Sequence, residues 1–468
     1  MQKKYDCIII GAGMSGLAAG IRLAMYDKKV LILEKHSISG GLNSYYSRGK
    51  RKFDVGLHAL TNFVNPTDKG RPFNKLMKQL RIPYSEFKLS PQNYSIIQFP
   101  DKKLKFTNDI HFLIEEVGHQ FPLEIDGFMK LLNHIKNFNE VNLENQTIMA
   151  KTVVKNFIND ESLVEMIFCP LLIYGSAWEN DMDFSQFVIM FKSIFLEGFA
   201  RPEGGVRTIV DLLLKRFNEL GGELRFKSEV TRIISSGNKI NALEINESEV
   251  ISCESILSSM GLPETMSVVE EKQDYHPRIG NLSFTETILI TDKKPCDLGV
   301  DATIIFYNNR PKYLYQKPST LIDSESAVVC FPNNFNYESH TDDYNEGVLR
   351  ITNIANFDLW NQQLLLSKEA YKEKKNEVAN ASLDILKNCG LNSNFQVNFK
   401  DVFTPTTIKR YTNHFGGTVY GSIDKSRNGT TPIKGLFICG TDQGFLGIVG
   451  SMLSGISMAN LHVLQGSI

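Results

Sequence analysis

What the sequence lacks narrows its class first. Neither sign of charge is in excess: 51 Lys and Arg stand against 52 Asp and Glu, a net charge of -1 over 468 residues. Wholesale nucleic-acid binding needs a clustered basic surface, and this balance leaves no surplus to build one. No CxxC pair occurs among the seven cysteines, Cys7, Cys169, Cys253, Cys296, Cys330, Cys389 and Cys439. An odd, dispersed set excludes a disulfide framework and a zinc ribbon, and reads as reduced, mostly buried thiols. Internal repeats, low-complexity segments and any Ser/His/Asp or metal-ligand constellation are missing too. With 42% hydrophobic and 22% charged residues the composition is that of an ordinary globular chain, long enough for about three compact units,.

Long apolar runs are few. Residues 444–464 carry no Asp, Glu, Lys or Arg and have the length of a membrane span, but seven of them are Gly or Ser,. Their context favours a buried helix over a span. Residues 187–199 (FVIMFKSIFLEGF) contain Lys192 and Glu197 and are too short to cross a bilayer. They read as a core helix or as an apolar lip touching lipid. The opening MQKKYDCIIIGAG is broken by Asp6 and reads as a first β-strand, not a signal peptide, so a cytoplasmic protein is expected,. One composition figure stands out, 30 phenylalanines, which points to an aromatic core or an apolar ligand channel.

The first strand, residues 5–10, runs into Gly11-Ala12-Gly13-Met14-Ser15-Gly16, a helix over 17–26, and a second strand over 30–33 that ends in Glu34. This is G-x-G-x-x-G in the strand–turn–helix setting that the motif requires. Gly11 permits the tight turn, Gly13 lets the backbone approach a pyrophosphate, and Gly16 lets helix and strand pack closely. The helix N-terminus offers unpaired N–H groups to that anion. Glu34 is placed to accept ribose hydroxyls and disfavours a 2′-phosphate. A second glycine turn, Gly40-Gly41-Leu42-Asn43-Ser44, follows, then a hairpin over 44–55 leading into Phe53-Asp54-Val55-Gly56-Leu57-His58. The hairpin carries RGKRK at 48–52, read as a solvated tip or as an anionic-lipid contact,.

Further along, Pro202-Glu203-Gly204-Gly205-Val206 precedes an amphipathic helix over 208–220 and strands at 224–226, 230–234 and 242–245,. Near the end, residues 435–442 form a strand running into Gly440-Thr441-Asp442. A helix over 447–464 follows, with Gly447, Gly450, Ser451, Ser454 and Gly455 as one small-residue face. Such a face admits something flat to the backbone, and the helix N-terminus suits the negative charge of a reduced flavin.

These segments together resemble the flavoprotein superfamily of amine oxidases, phytoene desaturases, carotenoid isomerases and retinol-saturase-like enzymes. The subgroup nearest G-T-D-x-x-x-x-G-I-V-G-S-x-x-S-G is that of bacterial carotenoid isomerase and retinol saturase relatives. The resemblance touches both ends and the centre, about half of the chain. It implies FAD, held by Gly11 to Gly16, Glu34 with Lys35, Gly41 and Leu42, Gly56, His58, the backbone of Val230, Gly440, Asp442 as the ribityl-contacting acid, and Gly447, Ile448 and Val449. Many members have Arg where this chain has Leu42, so that ionic contact is absent.

The fold expected is α/β: a Rossmann-like FAD domain of the glutathione-reductase type from residues 1–68, 202–269 and 399–468. An α+β substrate domain is inserted at 69–201 and 270–398. Within it, residues 171–178 and 187–199 read as substrate-facing surface or ordinary core. Residues 367–388 read as a surface helix. Hydride exchange between flavin N5 and a C–H or C=C of an apolar, polyene or isoprenoid-like substrate is the leading chemistry. An amine oxidase and a flavoprotein with structural FAD are the alternatives. The candidate catalytic residues are His58, as a proton carrier or a scaffold group, and Tyr420, which together with Tyr174 reads as an aromatic ring of an amine oxidase site or as a packing residue. A small apolar substrate is the expected partner, with peripheral contact to the inner face of a membrane as an option and no nucleic acid.

Overall fold

The computed structural model describes residues 5–56, 58–271, 273–338 and 346–465. Leu57 of the F-D-x-G-x-H segment and residues 1–4 lie outside the described residues. The fold is mixed α/β, with one seven-stranded sheet that is parallel at its centre and a second that is almost wholly antiparallel.

Tyr5–Ile10, apolar but for Asp6, and Val30–Leu33, apolar throughout, pair in parallel, as strands covered on both faces do,. The second half of Glu249–Ser258 flanks Tyr5–Ile10, with Leu436–Ile438 beyond it; Glu223–Arg225 flanks Val30–Leu33. The first half of Glu249–Ser258 turns antiparallel, carrying Lys239–Ile245 and then Val230–Ser236. Three distant stretches therefore share one sheet. Helix Met14–Ala24 packs between Val206–Glu219 and the terminal helix. It starts at Met14, three residues before the periodicity predicts, because the glycine turn itself supplies the first helical turn.

The second sheet runs Val397–Phe403, Ser283–Thr291, Gly347–Ala355, Ser326–Cys330, Ile304–Asn308, Ser95–Gln98, Lys103–Phe106. Alternation sorts its side chains. Ile304, Phe306 and Val328 face helices Glu161–Gly175 and Phe184–Phe191, while Ile305, Tyr307 and Val329 face helix Lys368–Asn388,. Val397–Phe403 is an edge strand here, so the division expected after residue 398 cuts a strand.

Of the two readings of residues 187–199, a core helix and an apolar lip, the structure takes the core helix. Phe187, Phe191, Phe195 and Phe199 are fully buried, and the rings of Phe184, Phe187, Phe191, Phe195 and Phe106 touch in succession through the core, the first pair stacked and the last two edge to face. The terminal helix runs as α-helix over Gly447–Met458 and as π-helical turns over Ala459–Leu464. It is the one helix among the described residues long and apolar enough to cross a membrane, and half of it is buried. Its small-residue face is split. A Cβ on Gly455 would fall onto the Ser15 carbonyl, and Ser454 Oγ accepts the Gly440 N–H at 2.8 Å, so this end serves helix packing. Only Gly447 and Ser451 of the stripe reach a cavity.

Candidate functional site

Two cavities meet behind the glycine turns. The smaller, about 150 Å³, is lined by Gly11, Gly13, Met14, Ser15, Lys35 and Val230. The larger, about 680 Å³, is lined by Gly56, His58, Tyr420, Gly447 and Ile448. Glu34, His36, Gly41, Leu42, Asn43, Tyr411, Thr441 and Ser451 line both. Residues from 11 to 451 thus converge on one continuous wall.

The glycine loop divides its tasks between space and contact. A Cβ on Gly16 would fall onto the Gly11 carbonyl, so only glycine allows that helix and strand to approach. A Cβ on Gly13 would meet nothing within 4 Å, leaving room for a ligand above the helix N-terminus,. Glu34 is buried, and its carboxylate accepts the Ala12 N–H at 2.9 Å and the His36 N–H at 2.8 Å. Each carboxylate oxygen can accept a further bond, so capacity remains for ribose hydroxyls. Lys35 is held by Glu229 at 2.7 Å beside Val230, whose strand begins at the cavity wall. His36 Nε2 is buried with no hydrogen-bond partner in the structure. An open glycine cradle, an acid at the strand end and an orphaned polar atom on the shared wall fit a dinucleotide such as FAD.

Ala12, Gly16, Gly440, Asp442 and Val449 do not line either cavity. Asp442 is 1% exposed and accepts the Leu262 N–H at 2.7 Å, the Ser422 N–H at 2.9 Å and Lys425 Nζ at 3.0 Å. The structure places it as a buried tie between three segments, away from the cavity wall. Thr441, its neighbour, is the residue that reaches both cavities.

The lining of the large cavity is part apolar and part charged. Ile173, Met190, Phe284, Val328 and Val419 give it an apolar arm. Against that arm stands a layer of charge. His58 and Glu286 line the cavity, and behind them Arg350 binds Glu286 and Arg201 binds Asp54. Arg201 also donates to the His58 carbonyl at 3.1 Å, and Arg350 to the Asp54 carbonyl at 3.2 Å. Asp54 caps helix Val206–Glu219 by accepting the Val206 N–H at 3.1 Å. Gly205, at φ 73°, is required there, because a Cβ would land on the Asp54 carboxylate,. Two motifs that are far apart in sequence, F-D-x-G-x-H and P-E-G-G-V, are joined by this contact.

Electrostatics fix the protonation of the layer. Burial opposes ionisation of Glu286, but Arg350, with His58 and Arg201, overcomes it and holds the carboxyl below its usual range. Burial pushes the His58 imidazole down to about 4; Glu286, 3.6 Å away, resists this, and the two arginines add to it. His58 is therefore neutral at ordinary pH, with Nε2 on Thr352 Oγ1 at 2.8 Å. Tyr420 lines the arm, but its hydroxyl is engaged with the Ile173 carbonyl at 2.5 Å and burial raises its pKa. Tyr174 lines the same arm with a buried hydroxyl that has no partner.

Sequence reasoning missed Arg201, Glu286, Arg350 and Thr352. For Glu286 and Arg350 a signal was available: a lone charge in an otherwise uncharged β-run, as in SFTETILIT and GVLRITNIA, needs a buried counter-charge,. In the sheet Glu286 lies opposite Thr352 and Ile288 opposite Arg350, which sets the acid diagonal to its base.

Comparison with known proteins follows the same lines. The profile of the flavin containing amine oxidoreductase family matches residues 14–461. Prolycopene isomerase of Daucus carota is 25% identical, over 98% of this chain and 80% of its own length. All-trans-retinol 13,14-reductase of Danio rerio is 21% identical, over 98% of this chain and 87% of its own. Among solved structures, an oxidoreductase from Methanosarcina mazei superposes with a TM-score of 0.67 at 16% identity, covering 97% of this chain and 99% of its own.

Proposed function

The chain belongs to the flavin containing amine oxidoreductase family, and on that premise we propose that it is an FAD-dependent oxidoreductase acting on an apolar, polyene or isoprenoid-like substrate. When bound, FAD supplies hydride exchange at N5. The glycine loop and the first turn of helix Met14–Ala24 hold the pyrophosphate, Glu34 the ribose, and the backbone of Gly447 and Ile448 the flavin end. The first sheet, with its three segments, supports a Rossmann-like FAD domain of the glutathione-reductase type. Its inserted α+β substrate domain is bounded after residue 403, where strand Val397–Phe403 ends.

The observation that carries this reading is the apolar arm of the large cavity, which opens from the same wall as the glycine cradle. Ile173, Met190, Phe284, Val328 and Val419 exclude water and orient a C–H-rich chain. His58 stays neutral and the Glu286 charge is balanced by Arg350, so the wall presents a neutral imidazole and a net-neutral ion pair. Desaturation, saturation and double-bond isomerisation all fit such a site. The likeness to a prolycopene isomerase and a retinol reductase supports a polyene within that class. Tyr174 and Tyr420 on one cavity favour a second reading, amine oxidation between aromatic rings, although the Tyr420 hydroxyl is already engaged. The free thiols, six of the seven buried, support work in a reducing, cytoplasmic compartment,.

Purified protein, or protein refilled with FAD, is expected to be yellow and to release FAD, not FMN, on denaturation. A colourless protein that takes up no FAD would contradict the reading.

A further inference from the structure

Three cations line the large cavity without an ion-pair partner among the described residues: Arg48, Lys375 and Arg410. Each lies over a tyrosine ring of the same lining, Arg48 5.8 Å from the centre of Tyr46, Lys375 5.4 Å from Tyr371 and Arg410 5.7 Å from Tyr411,. Arg48 and Arg410 are exposed and Lys375 is half-buried, so they mark the part of the cavity that opens to solvent. The sequence gathers them by simple spacing. Tyr46 and Arg48 share one face of strand Tyr45–Arg48,. Tyr371 and Lys375 lie one turn apart on helix Lys368–Asn388, as Thr406 and Arg410 do on helix Pro405–Thr412,. The Tyr371 hydroxyl and Thr406 Oγ1 bond at 2.8 Å between the two helices. The Tyr46 hydroxyl donates at 3.1 Å to Asp401, on the strand that leads into the second helix. Each cation thus extends from a residue that is already tied to the others' neighbours.

The acids of the lining are committed elsewhere. Glu286 is bound by Arg350, Glu34 accepts two backbone N–H groups, and Asp401 accepts the Tyr46 hydroxyl and the Val402 N–H. No acid of helix Lys368–Asn388 lines the cavity. Hydroxyls of Ser47, Thr407 and Thr412 share the lining with the three cations, whereas Ile173, Met190, Phe284 and Val328 make its buried, apolar part. The cavity therefore has two chemically distinct parts. A wholly apolar ligand that covered the cations would strip them of water and return nothing. Two guanidinium forks and an ammonium beside hydroxyls suit a carboxylate or a phosphate.

We propose that the substrate of this cavity is an amphiphile, with an apolar chain in the arm and an oxyanion head, carboxylate or phosphate, held by Arg48, Lys375 and Arg410. The head fixes which end of the chain enters first and how far it travels, and so decides which bond meets the reacting centre. The three cations are specificity-determining residues and take no part in the chemistry. For the chain the inference rests on the apolar-substrate reading; for the head it rests on the unpaired charge alone.

The test uses the full, FAD-loaded chain and three ligands that share one isoprenoid chain: geranylgeraniol, geranylgeranoic acid and geranylgeranyl phosphate. Each is kept below the concentration at which it aggregates, and binding is read by calorimetry. At least one of the anions is expected to bind about tenfold or more tightly than the alcohol. That advantage should shrink at ~0.5 M salt. The anion with the larger gain tells carboxylate from phosphate. The Lys375→Gln, Arg410→Gln double variant should lose the advantage and keep the parent's affinity for the alcohol, while Lys375→Arg should retain it. Flavin content and melting temperature equal to the parent's show that the double variant is intact; the two single variants, each losing part of the advantage, serve if it is not. Alcohol binding as tight as that of both anions, or an undiminished advantage in the variants, overturns the assignment of the head and leaves the apolar-arm reading standing. Binding of none of the three overturns that reading and the proposal with it.

Discussion

The two cavities are built in opposite ways. The small one is made of backbone: glycine turns, a helix N-terminus and the first residue of a strand, most of it from residues 10–43. The large one is made of side chains brought together from strands more than 200 residues away from the hairpin they face. Backbone sites depend on where a Cβ is forbidden, whereas side-chain sites depend on which charges are paired. Outside the wall they share, each can be broken at residues that do not line the other.

The largest effect is expected at Gly16. Gly16→Ala drives a methyl into the Gly11 carbonyl and should cost about 3 kcal/mol, lowering the melting temperature and the yield of folded protein. Gly13→Ala, three residues earlier in the same motif, has open space around it. It should leave the melting temperature nearly unchanged while weakening FAD retention. Equal losses of stability from the two substitutions would remove the division between contact and cradle.

On the side-chain cavity, Arg350→Met leaves Glu286 buried without its partner and should cost roughly 3 kcal/mol by denaturant unfolding. The double variant Arg350→Met, Glu286→Gln should recover much of that loss, because both charges are gone. No recovery would mean that the pair is not the electrostatic unit described.

Protonation gives the next effect. His58 is held down to about 4 when folded, against about 6.5 for a free imidazole,. Its contribution to stability is complete above pH 6.5 and is lost as pH falls from 6.5 to about 4, up to ~3 kcal/mol. Glu286, also depressed, loses its contribution lower, as pH drops through the carboxylate range. His58→Gln should flatten the stability profile between pH 6.5 and 4 and leave the steeper acid limb in place. A profile identical to the parent's would mean that the imidazole titrates normally.

The smallest effects concern single hydrogen bonds. Tyr420→Phe removes only the bond to the Ile173 carbonyl and should cost about 1 kcal/mol, with turnover nearly unchanged. A turnover loss of several orders of magnitude would restore Tyr420 as a catalytic residue. Glu34→Gln should weaken FAD retention about tenfold, the scale of one charge-assisted bond.

The contrast also explains what the sequence discloses. Tyr5–Ile10, Val30–Leu33 and the glycine loop are legible because local sequence dictates them: an apolar run, a motif and an acid follow one another within 30 residues. Ser283–Thr291 and Gly347–Ala355 were not assigned, since strands buried at every position lose the alternation that marks a half-exposed strand,. Arg201, Glu286 and Arg350 gain meaning only once the sheet sets them together. The small-residue face of the terminal helix was legible as a pattern but not as a partner, because close packing against a flavin and against Ser15 ask for the same residues. Asp442 shows the same limit: a motif gives its position but not the direction of its carboxylate.

The most direct test mixes the FAD-loaded protein anaerobically with polyenes, isoprenoid hydrocarbons, retinoids and amines, with the flavin first oxidised and then reduced, while flavin absorbance is followed. The prediction is that apolar polyenes or isoprenoids change the flavin spectrum and amines do not. A response confined to amines would contradict the assignment of the apolar arm.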